Sequence, residues 1–213
     1  MLPAGLLMII TAPVVALLSL PAAALLTFSK KQKSSSKEGF RRAIVTGGSS
    51  GIGLAVAEEC VKKGFDQVVI IARSKDKLQT AKQNLEAKVP QNSSCKILAL
   101  SVDVSSLKRL EEAAKEIFAK QAANKSDGDD DTSSTYLFCC AGQATPYRFL
   151  DLTEEVILQN TKTNQLGAMY TVRAMLPHMK AGTIMLCSSV SCDLWNSECV
   201  TMILFLFPLV AFH

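Results

Sequence analysis

Between its first β-rich run and its first helical stretch the chain reads Thr46-Gly47-Gly48-Ser49-Ser50-Gly51-Ile52-Gly53, a spacing that could hold a pyrophosphate. Glycine at positions 47, 51 and 53 lets backbone approach phosphate oxygens closely, and a helix starting there turns unpaired N–H groups toward negative charge. Ser49, Ser50 and Ile52 ride on the same turn. About 20 residues beyond such a turn, a site for NAD places an acid to hold the ribose 2′-hydroxyl. Here that stretch is Ile71-Ala72-Arg73, which offers no carboxylate. Arg73 presents a planar fork suited to a phosphate, and Lys77 adds a second cation one helical turn on. On a bare helix start both would be ordinary surface charges. After this turn they favour NADPH over NADH.

Such a turn works only if a strand delivers it and a helix leaves it. Ala43-Ile44-Val45 is the entering strand, and Gly51 to Lys63 has helical spacing. Val68-Val69-Ile70-Ile71 is a continuous buried strand, and Asp76 to Lys88 a helix of good formers. Lys96 to Val102 predicts a third strand, followed by a helix from Ser105 to Lys120 capped by Ser105 or Ser106. Tyr136 to Cys139 is a fourth strand, Thr153 to Met179 one long or two short helices, and Thr183 to Cys187 a fifth strand. Alternation of this kind predicts an α/β fold, a Rossmann-like parallel sheet wound on both faces. The acidic stretch Asp127-Gly128-Asp129-Asp130-Asp131 reads as a solvated loop, because EF-hand spacing and its closing Glu are missing.

With the preceding Thr46, the G-x-x-x-G-x-G spacing resembles the short-chain dehydrogenase/reductase family. Residues 42–190 carry further likenesses in the family's order. Asp103, in Ser101-Val102-Asp103-Val104, resembles the acid that contacts adenine after the third strand. Cys140-Ala141-Gly142 resembles the family's Asn-Ala-Gly, with Cys139-Cys140 a departure. Asn164 resembles the Asn of the following helix, and Gly182-Thr183-Ile184 through Ser188-Ser189 the fifth strand with its catalytic Ser. The resemblance implies an NADPH-dependent oxidoreductase with Ser189 and Asn164 orienting a carbonyl or a water. The anchor-like N-terminus, Ala72-Arg73-Ser74-Lys75-Asp76-Lys77-Leu78 and Cys140-Ala141-Gly142 are most like the family's branch that reduces 3-ketosphinganine to sphinganine in sphingolipid synthesis. A lipid-like ketone is therefore the expected substrate, with another lipid, steroid or retinoid as the alternative.

The family's chemistry also needs a Tyr to protonate the carbonyl oxygen and a Lys four residues later to lower its pKa. Counting about 13 residues from Ser189 gives Met202, then Leu206. The chain's three tyrosines are Tyr136, Tyr147 and Tyr170; none has Lys at the fourth following residue. The pair is absent, so the sheet is expected to stop after its fifth strand and the chain as written to bind NADPH weakly or not at all and reduce nothing. A different class, a non-catalytic dinucleotide-binding membrane protein, fits the same residues. Residues 191–213 form a divergent apolar tail ending in Met202 to Phe212, too short to span a bilayer and broken by Pro208. An alternative transcript end or a misplaced gene boundary is its expected origin.

Composition sets the remaining limits. Residues 1–29 hold no charged side chain and would reach roughly 40 Å as a helix, which predicts a transmembrane anchor rather than a cleaved signal. Six basic residues against Glu38 between Lys30 and Arg42 give a local +5, so of the net +4 the rest of the chain carries −1. No basic face remains to suggest nucleic acid. Residues 30–41 are a basic juxtamembrane linker, and the positive-inside rule puts the globular part, from residue 42 on, in the cytosol. The resemblance places it on the endoplasmic reticulum membrane. The seven cysteines lack C-x-x-C or His at ligand spacing, so neither a metal site nor disulfides are expected. A homo-oligomer is left open.

Overall fold

The computed structural model describes residues 39–122, 133–143 and 151–187. The anchor at 1–29, most of the linker, most of the acidic loop, Ser189 and the tail at 191–213 lie outside these residues. Among the described residues, no helix is long and apolar enough to cross a membrane.

Five six-residue strands form one parallel sheet. They are β1 (Arg41–Thr46), β2 (Gln67–Ala72), β3 (Lys96–Ser101), β4 (Ser134–Cys139) and β5 (Ala181–Leu186), in the order β3-β2-β1-β4-β5. Helices alternate with them: α1 (Gly51–Lys62), α2 (Lys75–Glu86), α3 (Leu107–Ala122), α4 (Glu154–Asn160) and α5 (Gly167–Met175). Between α4 and α5 the helix continues as a π segment, Thr161–Leu166. The stretch read as one long or two short helices is thus a single run with a wider turn inside it.

Strands β1 and β2 are apolar on both faces because both are covered, whereas β5 is largely exposed. Ala43, Val45, Val68 and Ile70 pack with Ala57, Val61, Leu78, Ala81 and Leu85 of α1 and α2. On the other face Ile44, Val69, Ile71 and Leu137 meet Leu110, Ala114 and Ile117 of α3 and Ala174 and Met175 of α5. The crossing from β1 out to β3 and back to β4 leaves a crevice at the strands' C-terminal ends, where this topology holds ligands.

Two arginines counted with the basic linker belong to the sheet. Arg41 opens β1, and its guanidinium donates to the Gly64 carbonyl at 2.9 Å. Arg42 is only 2% exposed. Its Nε donates to Gln67 Oε1 at 2.6 Å and the guanidinium lies 4.6 Å from the Phe118 ring centre. Burial lowers its pKa to about 10. Charge pattern alone could not show this, because an aromatic face and a buried amide take the place of an acid.

Burial also raises four thiols, Cys60 to about 11, Cys139 to about 12, Cys140 to about 11, and Cys95 in the same direction. An unfolded thiol ionises near pH 8.5 to 9, so above that pH the native chain binds more protons than the unfolded one. Their stabilising contribution is complete below about pH 8.5 and is lost as pH rises toward the folded values. Urea midpoints measured from about pH 8 to about 9.5 should fall, and Cys139→Ala should flatten the slope.

Candidate functional site

The glycine turn, which leaves β1, is built against the ends of two other strands, β2 and β4. The N–H groups of Gly47 and Gly48 both donate to the Ile71 carbonyl, at 2.8 and 3.3 Å, which lays the turn across the end of β2. A Cβ on Gly53 would run into the Gly47 carbonyl oxygen and lie 2.7 Å from its carbon, so α1 starts in direct backbone contact with the turn. A Cβ on Gly47 would lie 2.8 Å from the Cys140 oxygen and 2.9 Å from the Ala141 Cα. The Ala141 N–H donates to Thr46 Oγ1 at 3.2 Å, tying the segment after β4 to the end of β1. Gly142 follows, exposed.

What the turn leaves open is as informative. Ser50 is the N-cap of α1 in extended conformation, yet its hydroxyl makes no capping bond. A Cβ on Gly51 would meet no atom within 4 Å, and Ile52 is 65% exposed. Ser49, Ser50, Gly51 and Ile52 therefore line a cradle whose first helical amides have no partner within the helix. A pyrophosphate fits this donor set in charge and shape.

Arg73 follows two residues after Ile71, against which the turn is laid, and Lys77 lies in the first turn of α2. Ser101 Oγ donates to the Arg73 carbonyl at 3.0 Å, and Ser74 caps α2 by accepting from the Lys77 N–H at 3.4 Å. Their backbones are pinned while both side chains are exposed. Asp103 has structural work at one oxygen: Oδ1 accepts from the Ser105 N–H at 2.9 Å and from its hydroxyl at 2.8 Å. Adenine recognition would fall to Oδ2. The Ser106 carbonyl accepts the first bond of α3, from Leu110 at 3.1 Å.

Asn164 lies in the π segment with both polar ends committed. Its Oδ1 accepts from the Gln143 N–H at 2.7 Å and its Nδ2 donates to the Gln143 carbonyl at 2.9 Å. The Gln143 side chain in turn donates to Oδ1 of buried Asn160 at 3.0 Å. The side chain of Asn164 thus positions the segment after β4, with one bond at each polar end. Gln143 and Asn160 were not singled out from sequence; Asn160 has the signal of an amide four residues before Asn164 on the same helical run, and Gln143 has none. Of the tyrosines, Tyr136 packs edge-on against Phe65 at 5.2 Å and Tyr170 packs against the α3/α5 side of the core, while Tyr147 lies outside the described residues.

A family model described as short chain dehydrogenase matches residues 41–200. The chain belongs to the short-chain dehydrogenase family. Among curated short-chain dehydrogenase relatives, 3-ketodihydrosphingosine reductase of Bos taurus is 37% identical over 137 residues, covering 64% of this chain and 38% of its own. 3-Dehydrosphinganine reductase of Danio rerio is 35% identical over 149 residues, covering 68% and 42%. The chain thus spans about two-fifths of the length of these relatives. In fold it is similar to L-sorbose reductase from Gluconobacter frateurii, solved with NADPH and L-sorbose, with TM-score 0.61 and 25% identity over 78% of this chain and 60% of that one.

Proposed function

We propose that the chain is the dinucleotide-binding part of a membrane-anchored, NADPH-dependent reductase of 3-ketosphinganine. The observation that carries the cofactor is the turn's bonding to Ile71, two residues before Arg73, with no carboxylate beside it. The names of the relatives supply the substrate, and the apolar run at 1–29 followed by basic residues supports the anchor, the endoplasmic reticulum membrane and a cytosolic catalytic face.

When bound, NADPH supplies a hydride. This chain's residues would hold the cofactor's other end. Amides of Ser49 to Gly53 face the pyrophosphate, Arg73 and Lys77 the 2′-phosphate, and Asp103 the adenine. Ala141 and Gly142 form a side-chain-poor floor where Gly47 closes against Cys140. The residues named for the adenosine half lie within the described residues, and Ser189 lies outside them. Because no Y-x-x-x-K is present among the 213 residues, a second reading is favoured for this chain alone: it binds without reducing.

Fluorescence titration of the purified chain with NADPH and NADH tests the cofactor. Arg73→Ala is expected to weaken NADPH binding about tenfold or more, the worth of one charge-assisted contact, and to leave NADH unchanged. Equal affinity for both cofactors with no loss in the variant would sink the assignment.

A further inference from the structure

Cys140 and Cys187 sit side by side where β4 and β5 end. The two strands are parallel with Cys139 opposite Leu186, and the Cys187 N–H continues the ladder to the Cys139 carbonyl at 3.0 Å. The next residues on each strand are therefore opposite one another and leave the sheet on the same face. Their side chains are in hydrogen-bond contact. Cys139 is excluded from the pair by the period of the strand: it packs into the α3/α5 face, whereas Cys140 packs toward α1 and α2. Cys187 is exposed and Cys140 half-buried.

We propose that Cys140 and Cys187 are a reversible thiol pair that peroxide closes into a disulfide, and that closure weakens dinucleotide binding. Adjacent strands lie about 4.8 Å apart, within the roughly 4.4–6.8 Å that Cα atoms of a disulfide span. Side chains leaving parallel strands in step start farther apart at Cβ than the roughly 3.8 Å a disulfide needs. Bridging must draw the strand ends together, and a bridge formed under that demand is readily reduced.

Hydrogen peroxide meets exposed Cys187 first. Its sulfur attacks one peroxide oxygen and the O–O bond breaks, leaving a sulfenic acid and one water. Cys140 then gives up its proton and attacks the Cys187 sulfur; the S–S bond forms, the S–O bond breaks, and a second water leaves. Two thiols and one peroxide become one disulfide and two waters, the sulfurs losing the two electrons that the peroxide gains. Cys140, being half-buried, is less accessible to peroxide than Cys187 and reacts with the sulfenic acid formed beside it.

The effect on binding rests on the proposed NADPH site. The Cys140 carbonyl faces Gly47, and Ala141, Gly142 and the clasped Gln143 come directly after it. Pulling Cys140 toward β5 shifts the floor of the cradle.

The test treats the full chain with graded hydrogen peroxide, blocks free thiols, and maps tryptic peptides by mass. Cys139 and Cys140 share one tryptic peptide, and Cys187 shares another with Cys192 and Cys199, so Cys140→Ser and Cys187→Ser assign the bridge. A linked pair of these peptides is expected in the parent chain and in neither variant. The NADPH dissociation constant should rise at least about tenfold with linkage and recover with dithiothreitol. Sulfinic acid at Cys187 without the linked peptide would overturn the pair, as would equal loss of NADPH affinity in peroxide-treated Cys187→Ser. Linkage without loss of affinity would overturn the effect on binding. Failure of the reduced parent chain to bind NADPH would overturn the cofactor assignment instead, leaving the peptide map to decide the pair.

Discussion

Residues 1–213 incubated with NADPH and 3-ketosphinganine are expected to form no sphinganine above the uncatalysed background. A ketone oxygen that receives charge needs a proton at the same moment, and a positioned acid typically contributes 10²–10⁴-fold. Tyr136 is locked against Phe65 in one face of the sheet and Tyr170 packs against the other. Neither is followed by Lys at the fourth residue, and the chain's last Lys is Lys180. Asn164 is bonded to Gln143 through both polar ends of its side chain. Product detection by mass, run beside a relative that carries the Tyr/Lys pair, decides the matter. A comparable rate from this chain would mean that a proton donor has been overlooked, with Tyr147 and Cys187 the first to replace.

Gly182→Ala is expected to unfold the domain or lower its stability by about 4 kcal/mol or more, among the largest single-residue effects. Gly182 lies in β5 with φ of +141°, and a Cβ there would overlap the Thr135 carbonyl oxygen and lie 2.6 Å from its carbon. The obstacle is the backbone of β4, in register with it, so no side chain can swing aside. Folded domains hold only about 5–15 kcal/mol in reserve. Urea denaturation followed by circular dichroism measures the loss, with exposed Thr183→Ala as the neighbouring control. A midpoint for Gly182→Ala equal to that control would show that β5 stands off from β4 in solution.

Gly182 also shows what sequence could and could not convey. The fifth strand was expected from Thr183, one residue after this glycine, while β5 runs from Ala181 and takes Gly182 into the sheet against Thr135. The sheet itself was legible because Val68-Val69-Ile70-Ile71 and its neighbours are apolar on both faces, and only a strand covered on two sides needs that. The cradle was legible in part for a similar reason: the demand on Gly53 comes from Gly47 and Gly48 a few residues before it, whereas the close approach of Cys140 and Ala141 to Gly47 leaves no local trace. Asn164 was placed by resemblance, but its partner Gln143 is 21 residues away and no local spacing announces it. Arg42 was counted as a linker charge because burial beneath Phe118 depends on a helix more than 70 residues on. The wide turn at Thr161–Leu166 answers to hydrogen bonds across the crevice and leaves no trace in apolar periodicity.

That wide turn makes the segment intolerant of a change in length. A π turn closes i→i+5 bonds in place of i→i+4, so it stores about one residue more than an α-helix would, and each residue removed rotates one end of a helix against the other by about 100°. Asn160 and Asn164 reach the same Gln143 with the surplus residue in place. Deleting one residue between them would give a better isolated helix and a worse protein, with α4 swung around its axis and the segment after β4 released.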